Sequence, residues 1–284
     1  MEEIDIDDLK RWIGREEHAE DVITPALLER FKAVVGNDSF PPDEAPPGLH
    51  WCFAPAAVPN EGIGTDGHPK RGDFLPPVPL PRRMWAGGEV AFLDSLKLNE
   101  VVQRTSQIEN VEVKTGKSGT LCFVTVRHKI CASGQLRINE RQDIVYREAH
   151  QKLAPSAPKA TAPSNSLPAG ESTMTIDASP QLLFRYSALT FNAHRIHYDR
   201  DYAMQEEGYS GLVVHGPLQA TQLMHLAEKT AKKRLKTFSF RGVAPLIDGD
   251  AYTVNATLSA DDGIECWAGR TGPGVTMKSR ATTH

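Results

Sequence analysis

Two short stretches of this 284-residue chain carry the side chains best suited to proton chemistry. Residues 190–199 read Thr-Phe-Asn-Ala-His-Arg-Ile-His-Tyr-Asp, and residues 212–220 read Leu-Val-Val-His-Gly-Pro-Leu-Gln-Ala. His197 can exchange protons near neutral pH without a large shift. Asn192 can hold a water molecule but cannot act as a base. Gly216 stands just before Pro217, at the expected start of a helix. Glycine lets another molecule approach the backbone closely. The first turn of a helix leaves N–H groups unpaired and partly positive, so it can polarise a carbonyl and stabilise the enolate beside it. A proton-transfer group, a water holder and a carbonyl polariser are what hydration of an α,β-unsaturated thioester requires.

Stepping outward, a helix over residues 217–235 carries Leu218, Ala220, Leu223, Met224, Leu226 and Ala227. That wide apolar face suits a helix wrapped by a sheet. Strands are expected near 90–98, 107–115, 120–131 and 135–146, which are rich in β-branched residues and separated by turn signals, and further strands near 237–241, 251–259, 263–269 and 274–280. Residues 43–81 are rich in Pro and Gly and read as an extended loop. Residues 151–172 are dominated by Pro, Ala and Ser, have no apolar period, and read as a linker.

The two sides of that linker share a pattern. Residues 24–37, Thr-Pro-Ala-Leu-Leu-Glu-Arg-Phe-Lys-Ala-Val-Val-Gly-Asn, align without gaps on 179–192, Ser-Pro-Gln-Leu-Leu-Phe-Arg-Tyr-Ser-Ala-Leu-Thr-Phe-Asn. Each begins with a hydroxyl N-cap followed by proline at the first helical position. Five residues beyond Asn192 stands His197; five beyond Asn37 stands Pro42. A duplicated unit with one active site, in the second copy, follows. The expected fold is α+β, a double hot dog in which two helix-on-curved-sheet units form a pseudo-dimer. Residues 1–150 make the degenerate first unit, lining the pocket, and 173–284 the catalytic second unit.

Composition narrows the classes. Apolar residues are 40% and charged residues 24%, with a formal net charge of −4 and no basic block, so neither nucleic acid nor an anionic membrane is a natural partner. No apolar run reaches the roughly 20 residues of a membrane span. The acidic start, Met-Glu-Glu-Ile-Asp, does not suit a secretory or mitochondrial leader, and the expected location is the cytoplasm. The four cysteines form no Cys-x-x-Cys pair. His194 and His197 are three apart, but no third donor has supporting spacing, so no metal is expected. Trp85-Ala86-Gly87-Gly88 lacks the Lys and spacing of a phosphate loop.

The Asn-Ala-His-Arg-Ile-His-Tyr-Asp stretch together with His215-Gly216-Pro217 resembles the MaoC-like (R)-specific hydratase and dehydratase family. Within it the likeness is to mesaconyl-C4-CoA (3-methylfumaryl-CoA) hydratases and type 2 hydroxyacyl-thioester dehydratases. The resemblance implies an Asp with a His five positions on, and a His-Gly whose glycine N–H receives the thioester oxygen. His197 and Gly216 match. Asn192 replaces the Asp, and His194 and Arg195 stand where Asn and Pro are usual. The implied activity is reversible hydration of an enoyl thioester, with no cofactor beyond the pantetheine of its acyl-CoA or acyl-carrier-protein substrate; the protein could stand alone or form a homodimer.

Each residue also has a plainer reading. His197 could be a satisfied core histidine, and Asn192 could only cap a turn. Asp199 reads as the N-cap of a helix over 200–207. Arg195 reads either as a structural ion-pair partner or as the group that recognises a substrate carboxylate. Arg82, Arg83, Trp85 and Arg241 either line the acyl or pantetheine groove or are structural. Two rival functions use the same architecture: an acyl-CoA thioesterase, which would want a carboxylate near the helix, and a non-catalytic acyl-CoA sensor, which would want an effector domain.

Overall fold

Among the described residues, ten antiparallel strands form one sheet, in which the strands, counted along the chain, lie in the order 1-3-4-5-2-7-10-9-8-6. The computed structural model describes residues 4–36, 40–116, 119–148 and 167–284. The first unit holds α1 (Ile6–Lys10), β1 (Glu16–Val22), α2 (Pro25–Val35), β2 (Arg82–Phe92), β3 (Val101–Gly116), β4 (Gly119–Ala132) and β5 (Gln135–Arg147). The second holds β6 (Ser172–Ile176), α3 (Pro180–Thr190), α4 (Gly216–Ala231), β7 (Leu235–Gly242), β8 (Tyr252–Leu258), β9 (Ile264–Arg270) and β10 (Gly274–Thr283). Read from either edge, corresponding strands follow in the same order, so the sheet has a pseudo-two-fold centre between β2 and β7.

The repeated pattern forms two matching helices. Thr24 Oγ1 accepts the Leu27 amide at 3.1 Å, and Ser179 Oγ accepts that of Leu182 at 3.4 Å. Each cap stabilises its helix by about 1 kcal/mol. Asn37 and residues 151–166, most of the expected linker, lie outside the described residues. Ser172, at the linker's expected end, already belongs to β6.

The seam between the units is β2 on β7, with Gly87 opposite Arg241 and Ala91 opposite Thr237. Its glycines are steric necessities. A Cβ on Gly88 would lie 2.3 Å from the Arg141 carbonyl oxygen, and one on Gly87 would lie 2.6 Å from that of Phe240. The strand therefore begins earlier than the 90–98 expected, because Arg-Arg-Met-Trp-Ala-Gly-Gly has no strand-like alternation. β1, Glu-Glu-His-Ala-Glu-Asp-Val, pairs with β3 at the edge, where charged residues discourage pairing with other chains.

Among the described residues, the long central helix occurs only in the second unit. Every residue of α4 from Leu218 to Glu228 is buried, and the helix packs on β7, β8, β9 and β10. The corresponding stretch of the first unit is the extended loop expected from its Pro and Gly. That loop crosses α4: Gly48 has φ +92°, a Cβ there would lie 2.4 Å from Thr221 Oγ1, and the Pro47 carbonyl accepts His225 Nε2–H at 2.8 Å. No described helix is long and apolar enough to cross a membrane.

This interior holds many ionisable groups in neutral form. Burial, with a smaller push from His128, takes His50 down to about 3. Burial takes His225 to about 4 and His197 to about 3, and holds His215 well below its ordinary value. Burial lifts Glu140 and Glu228 to about 7. Between about pH 6.5 and 4.5 the unfolded chain protonates these four imidazoles while the folded chain does not. The folded chain protonates the two carboxyls while the unfolded chain does not. The imidazoles outnumber the carboxyls, so the unfolded state binds more protons and folding weakens as pH falls. We expect urea midpoints to drop from pH 7 to pH 5, corresponding to a loss on the order of 1–3 kcal/mol per pH unit.

Candidate active site

The site begins where α3 ends. Phe191 takes a left-handed conformation, φ +51°, and the Asn192 amide closes onto the Ser187 carbonyl at 2.9 Å. Asn192 Oδ1 accepts the His194 amide at 3.0 Å, which turns the chain into one 3₁₀ turn, Arg195–His197. That turn is strapped to the segment before α4. The Val213 amide donates to the Ile196 carbonyl at 2.9 Å, and His197 Nδ1–H donates to the Val213 carbonyl at 2.7 Å. The imidazole is thereby fixed as the tautomer whose Nε2 carries the lone pair. Among the described residues nothing bonds to Nε2.

His197 stacks on His215, ring centroids 3.6 Å apart and planes 18° apart. His215 is the N-cap of α4, and its Nε2 lies 2.8 Å from Ser187 Oγ. The first intrahelical bond runs from Gln219 to the His215 carbonyl at 3.2 Å. The Gly216 and Leu218 amides precede it without intrahelical partners, and Pro217 has no N–H. Trp85 covers this terminus: a Cβ on Gly216 would sit 2.7 Å from Trp85 Cε3. Trp85 is held by Phe240 at 4.4 Å and Trp51 at 5.3 Å between centroids.

The first unit contributes a second group of polar residues. The loop 64–68 docks on 193–195 through the Arg195 amide, which donates to the Asp66 carbonyl at 2.9 Å. Only glycine fits at position 67, where φ is +91° and a Cβ would meet the Ala193 carbonyl oxygen at 1.8 Å. This close docking brings the His68 ring within 4.1 Å of His194, which lies 5.5 Å from His197. His68 Nδ1 is 3.0 Å from Asp66 Oδ2, and His194 Nε2 is 3.6 Å from Glu207 Oε1. Asp66, His68 and His194 offer ligand atoms within 4.8 Å of one another, a donor set of the kind that binds transition metals.

Electrostatics follow burial and these neighbours. Burial, then the charge of His194, lowers His197, and the Val213 carbonyl pulls weakly the other way. Burial, then Arg83, lowers His68 against the pull of Asp66. Burial alone would raise Asp66, but its bond to His68 and the charge of Arg83 leave it well below the usual carboxylate range. Glu207 is likewise raised by burial but lowered on balance by His194 and Arg82.

The structure sorts the expected site residues. The His197 ring lies against His215, the residue before Gly216, and Asn192 begins the turn that carries His197. Asn192 also caps its turn through Oδ1, so only its amide donors face outward from that bond. Arg195 is engaged by Asp199 at 2.8 and 3.0 Å, by the Thr65 carbonyl at 3.1 Å, and over the Tyr202 ring at 4.2 Å. Asp199 accepts the Tyr202 amide at 3.1 Å, as a cap should, but the turn it starts is π-helical, Tyr202–Glu206. Arg82 is buried and clamps that turn, bonding Glu207 Oε2 at 2.9 Å and the Glu206 carbonyl at 2.6 Å. Arg83 is half-buried, and Arg241 is exposed on β7. Sequence reading missed Asp66, His68 and Glu207. The one available signal was Asp-Gly-His inside an otherwise unpatterned loop.

Comparison with known proteins places this geometry. The family model of hydroxyacyl-thioester dehydratase type 2 matches residues 48–248. The chain is 46% identical to the mesaconyl-C4-CoA hydratase of Chloroflexus aurantiacus over 259 residues, covering 89% of this chain and 90% of that protein. It is 31% identical to the mitochondrial hydroxyacyl-thioester dehydratase type 2 of Schizosaccharomyces pombe, covering 70% and 73%. In fold it is similar to a MaoC-like dehydratase of Phytophthora capsici, with TM-score 0.69, 12% identity and 99% of each chain covered. With the match running through both units and across the His197 and Gly216 turns, this chain belongs to the hydroxyacyl-thioester dehydratase type 2 family.

Proposed function

We propose that this chain adds water across the double bond of mesaconyl-C4-CoA, or a short enoyl-CoA like it, and catalyses the reverse elimination. The observation that carries the reading is the 2.7 Å bond from His197 Nδ1–H to the Val213 carbonyl, which leaves Nε2 as the acceptor nitrogen of the ring. In this reading the Asn192 amide donates to the water oxygen, and Nε2 takes one water proton as that oxygen bonds to the β-carbon. The π electrons move onto the thioester, whose carbonyl oxygen lies against the Gly216 amide at the α4 terminus. The enolate then collapses and takes the proton from Nε2 at the α-carbon, on the same face. Atoms and charges return to their starting state.

The first unit, residues 1–150, supplies pocket walls, Trp85 among them, and the second, residues 173–284, supplies the acid–base chemistry. The substrate brings its own pantetheine, so no further cofactor enters, and the setting is the cytoplasm.

Removing the proton carrier should be severe, because positioned acid–base groups contribute about 10²–10⁴-fold. His197→Gln is expected to lower kcat for crotonyl-CoA and mesaconyl-C4-CoA hydration by at least about 100-fold, followed by loss of the enoyl absorbance. Retained hydration would end the assignment, and release of free CoA instead would favour the thioesterase. Because burial holds His197 at about 3, the basic form persists through mild acid. The acidic fall in kcat/KM is therefore expected below about pH 5, not near the ordinary histidine value of about 6.5. Gly216→Ala drives a methyl into the Trp85 ring, which Phe240 and Trp51 hold in place. It is expected to cost about 1–3 kcal/mol of stability and to lower kcat more than it raises KM, as read by denaturation and steady-state kinetics.

A further inference from the structure

One buried carboxyl group has no part in the hydration steps. Glu140 lies on β5 with only 3% of its surface exposed, at a strand position where an apolar residue would fill the core without electrostatic cost. Burial pushes it up to about 7. Its two oxygens face the segment that follows Gly48. Oε1 accepts the Trp51 indole N–H at 2.9 Å, and Oε2 lies 3.6 Å from His50 Nε2.

Trp51 leads from there to the α4 terminus. Its ring meets Trp85 edge-on, with centroids 5.3 Å apart and planes at 87°, and meets Phe240 at 6.3 Å and 78°. His50 backs it at 4.7 Å. Trp85 has no polar anchor of its own: its buried indole N–H finds no partner among the described residues. Packing alone therefore places Trp85 on Gly216, and Phe240, at 4.4 Å, offers only more packing. Of these three rings only Trp51 carries a side-chain hydrogen bond. Apolar contact is non-directional, so ring packing by itself lets Trp85 slide. A hydrogen bond is directional, and it pins the stack at one point.

We propose that Glu140 is a positioning residue for the active site: by holding Trp51 it fixes Trp85 against the first turn of α4. This rests on the hydration reading above in taking the Gly216 amide as the group that meets the thioester oxygen. An amide that stabilises a developing oxyanion must be aimed before the charge appears. A misplacement of about 1 Å, caused far from the chemistry, can cost on the order of 10²-fold in rate. The anchor and its target belong to different units: Glu140, Trp51 and Trp85 come from the first, and Gly216 from the second.

Kinetics on the full chain test the link. Glu140→Leu is expected to lower kcat for crotonyl-CoA hydration by about 10- to 100-fold with little change in KM. The rate is taken per binding site, counted by calorimetric titration with butyryl-CoA, so loss of folded protein does not enter. Glu140→Gln keeps an oxygen that accepts the indole N–H and is expected to retain most of the rate. Trp51→Phe keeps a ring but removes the N–H. It is expected to reproduce the fall, and it reads the same link should Glu140→Leu fail to fold. Adding Glu140→Leu to Trp51→Phe is expected to cost nothing more. Additive losses, or a Gln variant as slow as the Leu variant, overturn the proposal.

A second readout needs no turnover. The indole N–H resonances of Trp51 and Trp85, followed by NMR, are both expected to move in Glu140→Leu, while Glu140→Gln leaves that of Trp85 in place. If wild type hydrates no enoyl thioester but Trp85 still responds to Glu140→Leu, the hydration reading falls and the link from Glu140 to Trp85 stands. If wild type hydrates crotonyl-CoA while kcat and the Trp85 resonance both ignore Glu140→Leu, the positioning role falls alone.

Discussion

The structure depends on burying a helix on all sides while leaving one end able to meet a ligand. The middle of α4 touches sheet on one side and the loop from the first unit on the other, so no face from Leu218 to Glu228 reaches water. Burial on this scale is favourable only if the backbone is internally bonded and the polar side chains find partners. Thr276 Oγ1 donates to Gln219 Oε1 at 2.8 Å, and the Leu235 amide bonds Glu228 Oε1 at 2.9 Å. The two amides ahead of Gln219 cannot be satisfied by the helix. In a low-dielectric surrounding, unpaired amides of this kind attract an oxygen acceptor more strongly than they would at a surface.

The same burial sets the state of the imidazoles. Buried and close to His194, His197 would pay heavily for a proton in the resting protein, a cost that the Val213 carbonyl offsets only in small part. In the proposed hydration, a base that starts neutral and briefly gains a proton from water suits a reaction whose negative charge appears on a nearby carbonyl. The imidazolium and the enolate would then form together, and the pair is less costly in this interior than either charge alone.

Most of the second unit was legible in the sequence because its periodicity is strong. The apolar face of α4, the β-branched residues of β8 and β10 and the Ser-Pro start of α3 each follow from local chemistry. The seam strand was not: in β2 the glycines answer to the Arg141 and Phe240 carbonyls, which no local pattern reveals. β1 was hidden by its charges, which reflect its edge position. At the site, the turn from Asn192 to Gly216 could be read because its residues are close in sequence. Asp66 and His68 could not, because they reach His194 only through the close packing of Gly67 on Ala193, over a hundred residues away.

That long-range packing also explains why two units are kept when only one carries the His197 turn. The second unit alone would leave Gly216 without Trp85, His194 without its His68 neighbour, and Glu207 without the Arg82 clamp. Arg82 and Glu207 are a buried pair from opposite units, so removing either leaves an uncompensated charge inside the protein. Among the described residues the first unit has no long central helix, and its loop packs over that of the second. In the proposed reading, the first unit thus lends walls of a different chemistry to the site of the second, which a symmetric pair of identical units could not supply.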